Sequence, residues 1–213
     1  MLGLMIRDLM VQRKRLWVGI LYCVLGPILF KGMGQAVLVI VVVAVEYMIL
    51  LTAFAYDDKY KVDATLASLP IARAPLVIVR YLEVPVLAAA ATLLYILVTS
   101  LLSPWIKGLS LTGWLYPSVA FLTASVMSAL YMPVVYWLGY VKARIFNMII
   151  FMACVFLPSF GMAMIYGKSD PQIPAWLVNA SEGVISIAMA AAAVVILVLS
   201  CMISIRLYRR RQL

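Results

Sequence analysis

The chain has 213 residues, of which 67% are hydrophobic and 12% charged, and its mean hydropathy is +1.11. A water-soluble domain is roughly half apolar and about a quarter charged, so the composition excludes that class and predicts an all-α integral membrane protein. The formal charge of +9 argues for no nucleic-acid partner, because the basic residues follow the turns between apolar runs rather than forming one patch.

Residues 1–15, MLGLMIRDLMVQRKR, put Leu2, Met5, Ile6, Leu9 and Met10 on one helical face, away from Arg7, Asp8 and the Arg13, Lys14, Arg15 cluster. That pattern predicts an interfacial helix on an anionic leaflet, in contact with membrane lipids. No small-residue cleavage site follows the first apolar run, so the N-terminus is expected to be retained. Six transmembrane helices are predicted at 16–30, 35–56, 82–102, 115–140, 145–166 and 184–207, with Lys142 and Arg144 marking the turn before the fifth. The longer ones suffice to cross ~30 Å of hydrocarbon at roughly 1.5 Å per residue. With no internal repeat and no linker, residues 1–213 are expected to form a single transmembrane domain.

Alternate turns divide the basic residues into fourteen on one side and three (Lys31, Lys107, Lys168) on the other. The positive-inside rule then places both termini and the central loop in the cytoplasm. Aromatic residues agree, with Trp17, Tyr56, Tyr81, Trp137, Tyr140 and Tyr208 near one boundary and Trp105, Trp114, Tyr116, Tyr166 and Trp176 near the other.

Catalytic and metal chemistry find little footing. There is no histidine, and Cys23, Cys154 and Cys201 lie in apolar runs without CxxC spacing, so they read as small buried hydrophobes rather than disulfides or zinc ligands. The stretch 161–169, GMAMIYGKS, sets five residues between its glycines, whereas a phosphate-binding loop uses four, after a strand. No metal is expected, and no cofactor bound by this chain.

Glu46 interrupts the second span, where an ionised carboxylate costs roughly 2.5–3.5 kcal/mol unless it meets a cavity or a partner. Two readings stand: a pathway-lining or substrate-contacting acid, or a protonated or hydrogen-bonded glutamate between helices. Glu83 is expected to pair with Arg80 one turn away. Asp57 and Asp58 end the second span, where a helix C-terminus disfavours anions, and read either as solvated loop acids or as partners of a nearby base. Small residues recur at Ala120, Ala124 and Ser128 and again at Ala188 and Ala192; such stripes let helices approach closely, within one chain or across a dimer. Asn179-Ala180-Ser181 formally matches a glycosylation acceptor. The segment 167–183 is either an external loop anchored by Trp176 or a short re-entrant helix around 173–178.

The longest polar interruption is 57–81, DDKYKVDATLASLPIARAPLVIVRY. Within it, Val62, Leu66 and Leu69 share one helical stripe with Asp63 off it, and Pro70 breaks the pattern. A short amphipathic helix between two spans is a shape that a cytoplasmic subunit can grip. The N-terminal segment, six spans and this loop, with its Ser68-Leu69-Pro70 step followed by Arg73, resemble the membrane subunits of type 2 ABC exporters, small bacterial six-span permeases.

That resemblance implies a permease dimer, of two copies or a copy and a paralogue, in a bacterial cytoplasmic membrane. It also implies a separate ATP-binding subunit holding ATP and Mg and docking on a coupling helix between spans 2 and 3. In that frame Val62, Leu66 and Leu69 fill a groove on the ATPase, Pro70 ends the helix, and Asp63 and Arg73 fix its register. The chain itself is then not an enzyme but moves an amphipathic or hydrophobic substrate (peptide, antibiotic or lipid) outward by alternating access, with Pro27, Pro133 and Pro158 as bending points. Two other classes remain open: an ion-coupled secondary transporter working through Glu46, and a non-transporting scaffold or sensor.

Overall fold

A computed structural model of the protein describes residues 13–30, 35–60, 73–103, 113–167 and 181–210. Among them the regular elements are six helices: α1 (Arg13–Leu29), α2 (Ala36–Lys59), α3 (Arg73–Leu102), α4 (Leu115–Leu138), α5 (Tyr140–Gly167) and α6 (Glu182–Arg210). The run from Val37 to Val45 is so rich in valine that in water it would favour a strand. It is helical here, as expected of a spanning segment, because hydrocarbon offers no partner for exposed N–H and C=O groups and a helix satisfies them internally. The hydroxyls of Thr52, Thr92, Thr99 and Thr123 fold back 2.6–2.7 Å onto the carbonyl four residues earlier, which lets a polar residue sit in an apolar helix. Pro27, Pro85 and Pro133 all lie inside helices.

Four helical stretches among the described residues are long and apolar enough to cross a membrane: Ala36–Lys59, Pro75–Leu102, Leu115–Leu138 and Glu182–Tyr208. The apolar part of α1, Trp17–Leu29, is shorter. The predicted interfacial segment 1–15 lies outside the described residues except at 13–15, which open α1.

Two predicted boundaries move. Helix α3 starts at Arg73 rather than at 82, and α2 runs on to Lys59, so the central loop narrows from 57–81 to the residues between Tyr60 and Arg73. Two of the charges that marked 57–81 as loop, Asp57 and Arg80, pair with each other between the helices, so they do not force the backbone out into water. Lys142 and Arg144 sit in the first turns of α5, not in a turn. The joint between α4 and α5 is Gly139 alone, at φ 80°, a conformation glycine adopts without steric cost.

Helix α4 is the hub. It runs along α6 over the longest contact and also meets α2, α5 and α3. Its small stripe makes this close approach available: Ala120, Ala124 and Ser128 are fully buried within the chain. The second stripe, Ala188 and Ala192, is exposed. Helix α1 leans on α2 and α3; a Cβ on Gly26 would run into the Val41 Cγ2 methyl, so the glycine sets how near the two backbones lie. Cys23, Cys154 and Cys201 are free thiols, the first two buried and the third half-buried.

Candidate functional site

The last turn of α2 and the second turn of α3, which flank the central segment in sequence, are tied together. Arg80 Nη2 on α3 donates to Asp57 Oδ2 on α2 at 2.7 Å, while its Nη1 reaches Glu83 Oε2 at 3.4 Å. The Phe54 ring lies 5.6 Å from the guanidinium carbon, a cation–π distance. The expected Arg80–Glu83 pair is thus present. Asp57, read either as a solvated acid or as a base's partner, takes the second role. The Arg80 side chain is 8% exposed and that of Glu83 4%. A pair this dry costs desolvation to make, but removing one partner strands a buried charge.

The next residue along α3 turns the other way. Tyr81 Oη lies 2.7 Å from both Ser200 Oγ and Ser204 Oγ on α6, and Ser200 Oγ in turn donates to the Ala129 carbonyl of α4 at 2.6 Å. Around these bonds an aromatic cluster links three helices, α2, α4 and α6: Phe54 meets Tyr131 and Tyr136 edge-on, and Tyr136 packs against Tyr208 at 5.2 Å. Adjacent residues about two turns into α3 therefore bind it to α2 on one side and to α6 and α4 on the other. Chemically the arrangement contains no nucleophile paired with a base.

Of the residues the sequence nominated, Val62, Asp63, Leu66, Leu69 and Pro70 lie outside the described residues, and Arg73 enters only as the first residue of α3. Glu46 is described, and it is far from the loop. It is 1% exposed, faces α4, and accepts a hydrogen bond from the Ser128 hydroxyl at Oε1. This is the hydrogen-bonded arrangement between helices that was one of its two readings. Tyr81, Ser200 and Ser204 were missed. Two serines four apart in an otherwise apolar helix put two hydroxyls on one face, and that spacing was the available signal.

Six packed helices, four of them long and apolar enough to span, make the chain a multi-pass membrane protein. The family model described as "ABC-2 family transporter protein" matches residues 3–209. The chain belongs to that family, and as such it is a membrane-embedded transport subunit rather than a catalytic one. No curated protein and no solved structure matches it.

Proposed function

We propose that the chain is the permease of an ATP-driven exporter, with six spans and both termini on the cytoplasmic side of a bacterial membrane. Here 61–72 forms the coupling helix that a separate ATP-binding subunit grips through Val62, Asp63, Leu66, Leu69, Pro70 and Arg73. Two permease chains pair across the membrane, and the cargo is an amphipathic or hydrophobic molecule, on family likeness alone. The observation that carries this reading is the junction about two turns into α3, the helix that follows the loop. A push on the loop meets α3, and through Arg80 it meets α2 and through Tyr81 it meets α6 and α4. Force from an ATPase closing on ATP reaches four helices through two neighbouring side chains, which is what switching a cavity between inward and outward access requires.

The test is co-purification in mild detergent of the tagged chain with candidate ATP-binding subunits from the same cell, followed by ATP hydrolysis. Leu66→Asp and Leu69→Asp each place a charge in the predicted groove contact. Loss of the complex with either substitution, the permease still folded, supports docking through the loop. Binding that ignores both substitutions removes the loop as docking element and turns attention to ion-coupled transport through Glu46.

A further inference from the structure

Helices α2, α4 and α5 pack against one another in all three pairings, and they carry several buried polar side chains: Glu46 on α2, Ser125, Ser128 and Tyr131 on α4, and Asn147 on α5. Ser125, Ser128 and Tyr131 follow at three-residue spacing and so share one side of α4. Tyr131 and Asn147 each lie eight residues from the Gly139 joint, on either arm of the α4–α5 hairpin, and therefore at one depth. Tyr131 is within electrostatic reach of Tyr47 on α2, and the Tyr47 ring meets Phe151 of α5, one turn beyond Asn147, at 4.3 Å. One more turn along α5, Cys154 lies within electrostatic reach of Glu46 itself.

Among the described residues, Glu46 Oε2, Ser125 Oγ, Tyr131 Oη and both amide atoms of Asn147 have no hydrogen-bond partner. That is five orphaned polar atoms on three mutually packed helices, whereas buried polar groups are almost always paired. An orphan costs its full desolvation, and ordered water is the usual remedy for such groups. No cation among the described residues pairs with Glu46; Arg80 is engaged by Asp57 and Glu83. The titratable group that reaches it from α5, Cys154, brings no positive charge, and the α4 group bonded to it is the neutral Ser128 hydroxyl.

We propose that the α2–α4–α5 interface is a hydrated acid site: it binds water within the membrane domain, and Glu46 sits there as the un-ionised carboxylic acid. In that form Oε1 accepts from Ser128 while the Oε2 hydroxyl donates to water. Water also supplies the partners that Ser125, Tyr131 and Asn147 lack. The site is independent of how the loop docks an ATPase.

Infrared difference spectroscopy of the full chain in lipid nanodiscs tests this directly. A protonated-carboxyl C=O band is expected near neutral pH, lost in Glu46→Gln and shifted to lower frequency within minutes of transfer to D2O. If the variant does not accumulate, 13C-glutamate labelling of the wild-type chain assigns the band instead. Glu83 is ion-paired and Glu182 exposed, so a labelled un-ionised band comes from Glu46. Absence of such a band overturns the neutral acid, and a band that ignores prolonged D2O exchange overturns the hydration.

Discussion

Helices α2 and α6 have the same mean hydropathy, 2.7 and 2.8, yet 72% of the apolar stretch of α2 is buried inside the chain against 22% of that of α6. Hydropathy measures preference for hydrocarbon, and lipid and protein interior satisfy it equally. What separates the two helices is where their polar atoms lie. Helix α2 carries Glu46 in its middle and Asp57 at its end, both turned inward to α4 and α3. Helix α6 confines Ser186, Ser200 and Ser204 to one buried stripe and leaves Val195, Val198, Leu199 and Met202 facing out. The position of a few hydroxyls and carboxylates, rather than overall apolarity, distinguishes a core helix from a wall helix.

The largest way to break that contrast is Arg80→Leu, which leaves Asp57 and Glu83 without their cation where α2 meets α3. About 3–5 kcal/mol of stability should be lost, read as a lower unfolding midpoint in detergent. Adding Asp57→Asn and Glu83→Gln should recover most of it, and a triple variant as unstable as the single one would refute the ion-pair account.

A smaller effect tests burial alone. Leu38→Ala on α2, fully buried, should cost about 2 kcal/mol, the bottom of the range for soluble cores, because lipid is as apolar as the site vacated. The same truncation at Leu199, exposed on α6, should stay within about 0.5 kcal/mol. Equal losses at the two positions would mean that α6 is covered by a second chain under the conditions of the measurement.

The smallest change sharpens the comparison from the α6 side. Tyr81→Phe removes the hydroxyl that Ser200 and Ser204 share, and the serines can turn to their own helix carbonyls instead. A loss of about 0.6–1 kcal/mol is expected. ATP hydrolysis coupled to transport should fall further than stability does, if α3 hands motion to α6 through this side chain. A variant that keeps full coupling would leave Arg80 alone to carry it.

Much of the architecture was legible in the chain. Apolar runs located all six helices, because the spanning backbone has no alternative to a helix, and the expected pairing of Arg80 with Glu83 followed from one-turn spacing. The ends of α2 and α3 were not legible: Asp57 and Arg80 look like loop residues until it is known that they pair with each other across two helices. The α4 stripe at Ala120, Ala124 and Ser128 was readable as a close contact, but its partner was not, since spacing within one helix says nothing about which neighbour lies opposite. For Glu46 the sequence offered an anomaly and two readings. Its hydrogen-bond partner, Ser128, lies eighty-two residues away and could not be read from local spacing.

The Gly139 joint has a geometric consequence. With a single residue between helices of 24 and 28 residues, the hairpin has no spare chain at that end, and its two arms can part only as the legs of a pair of compasses do. Any separation of α4 from α5 is then least at Gly139 and grows with each turn away from it, through Tyr131 and Asn147 and on past Ser128 and Ser125.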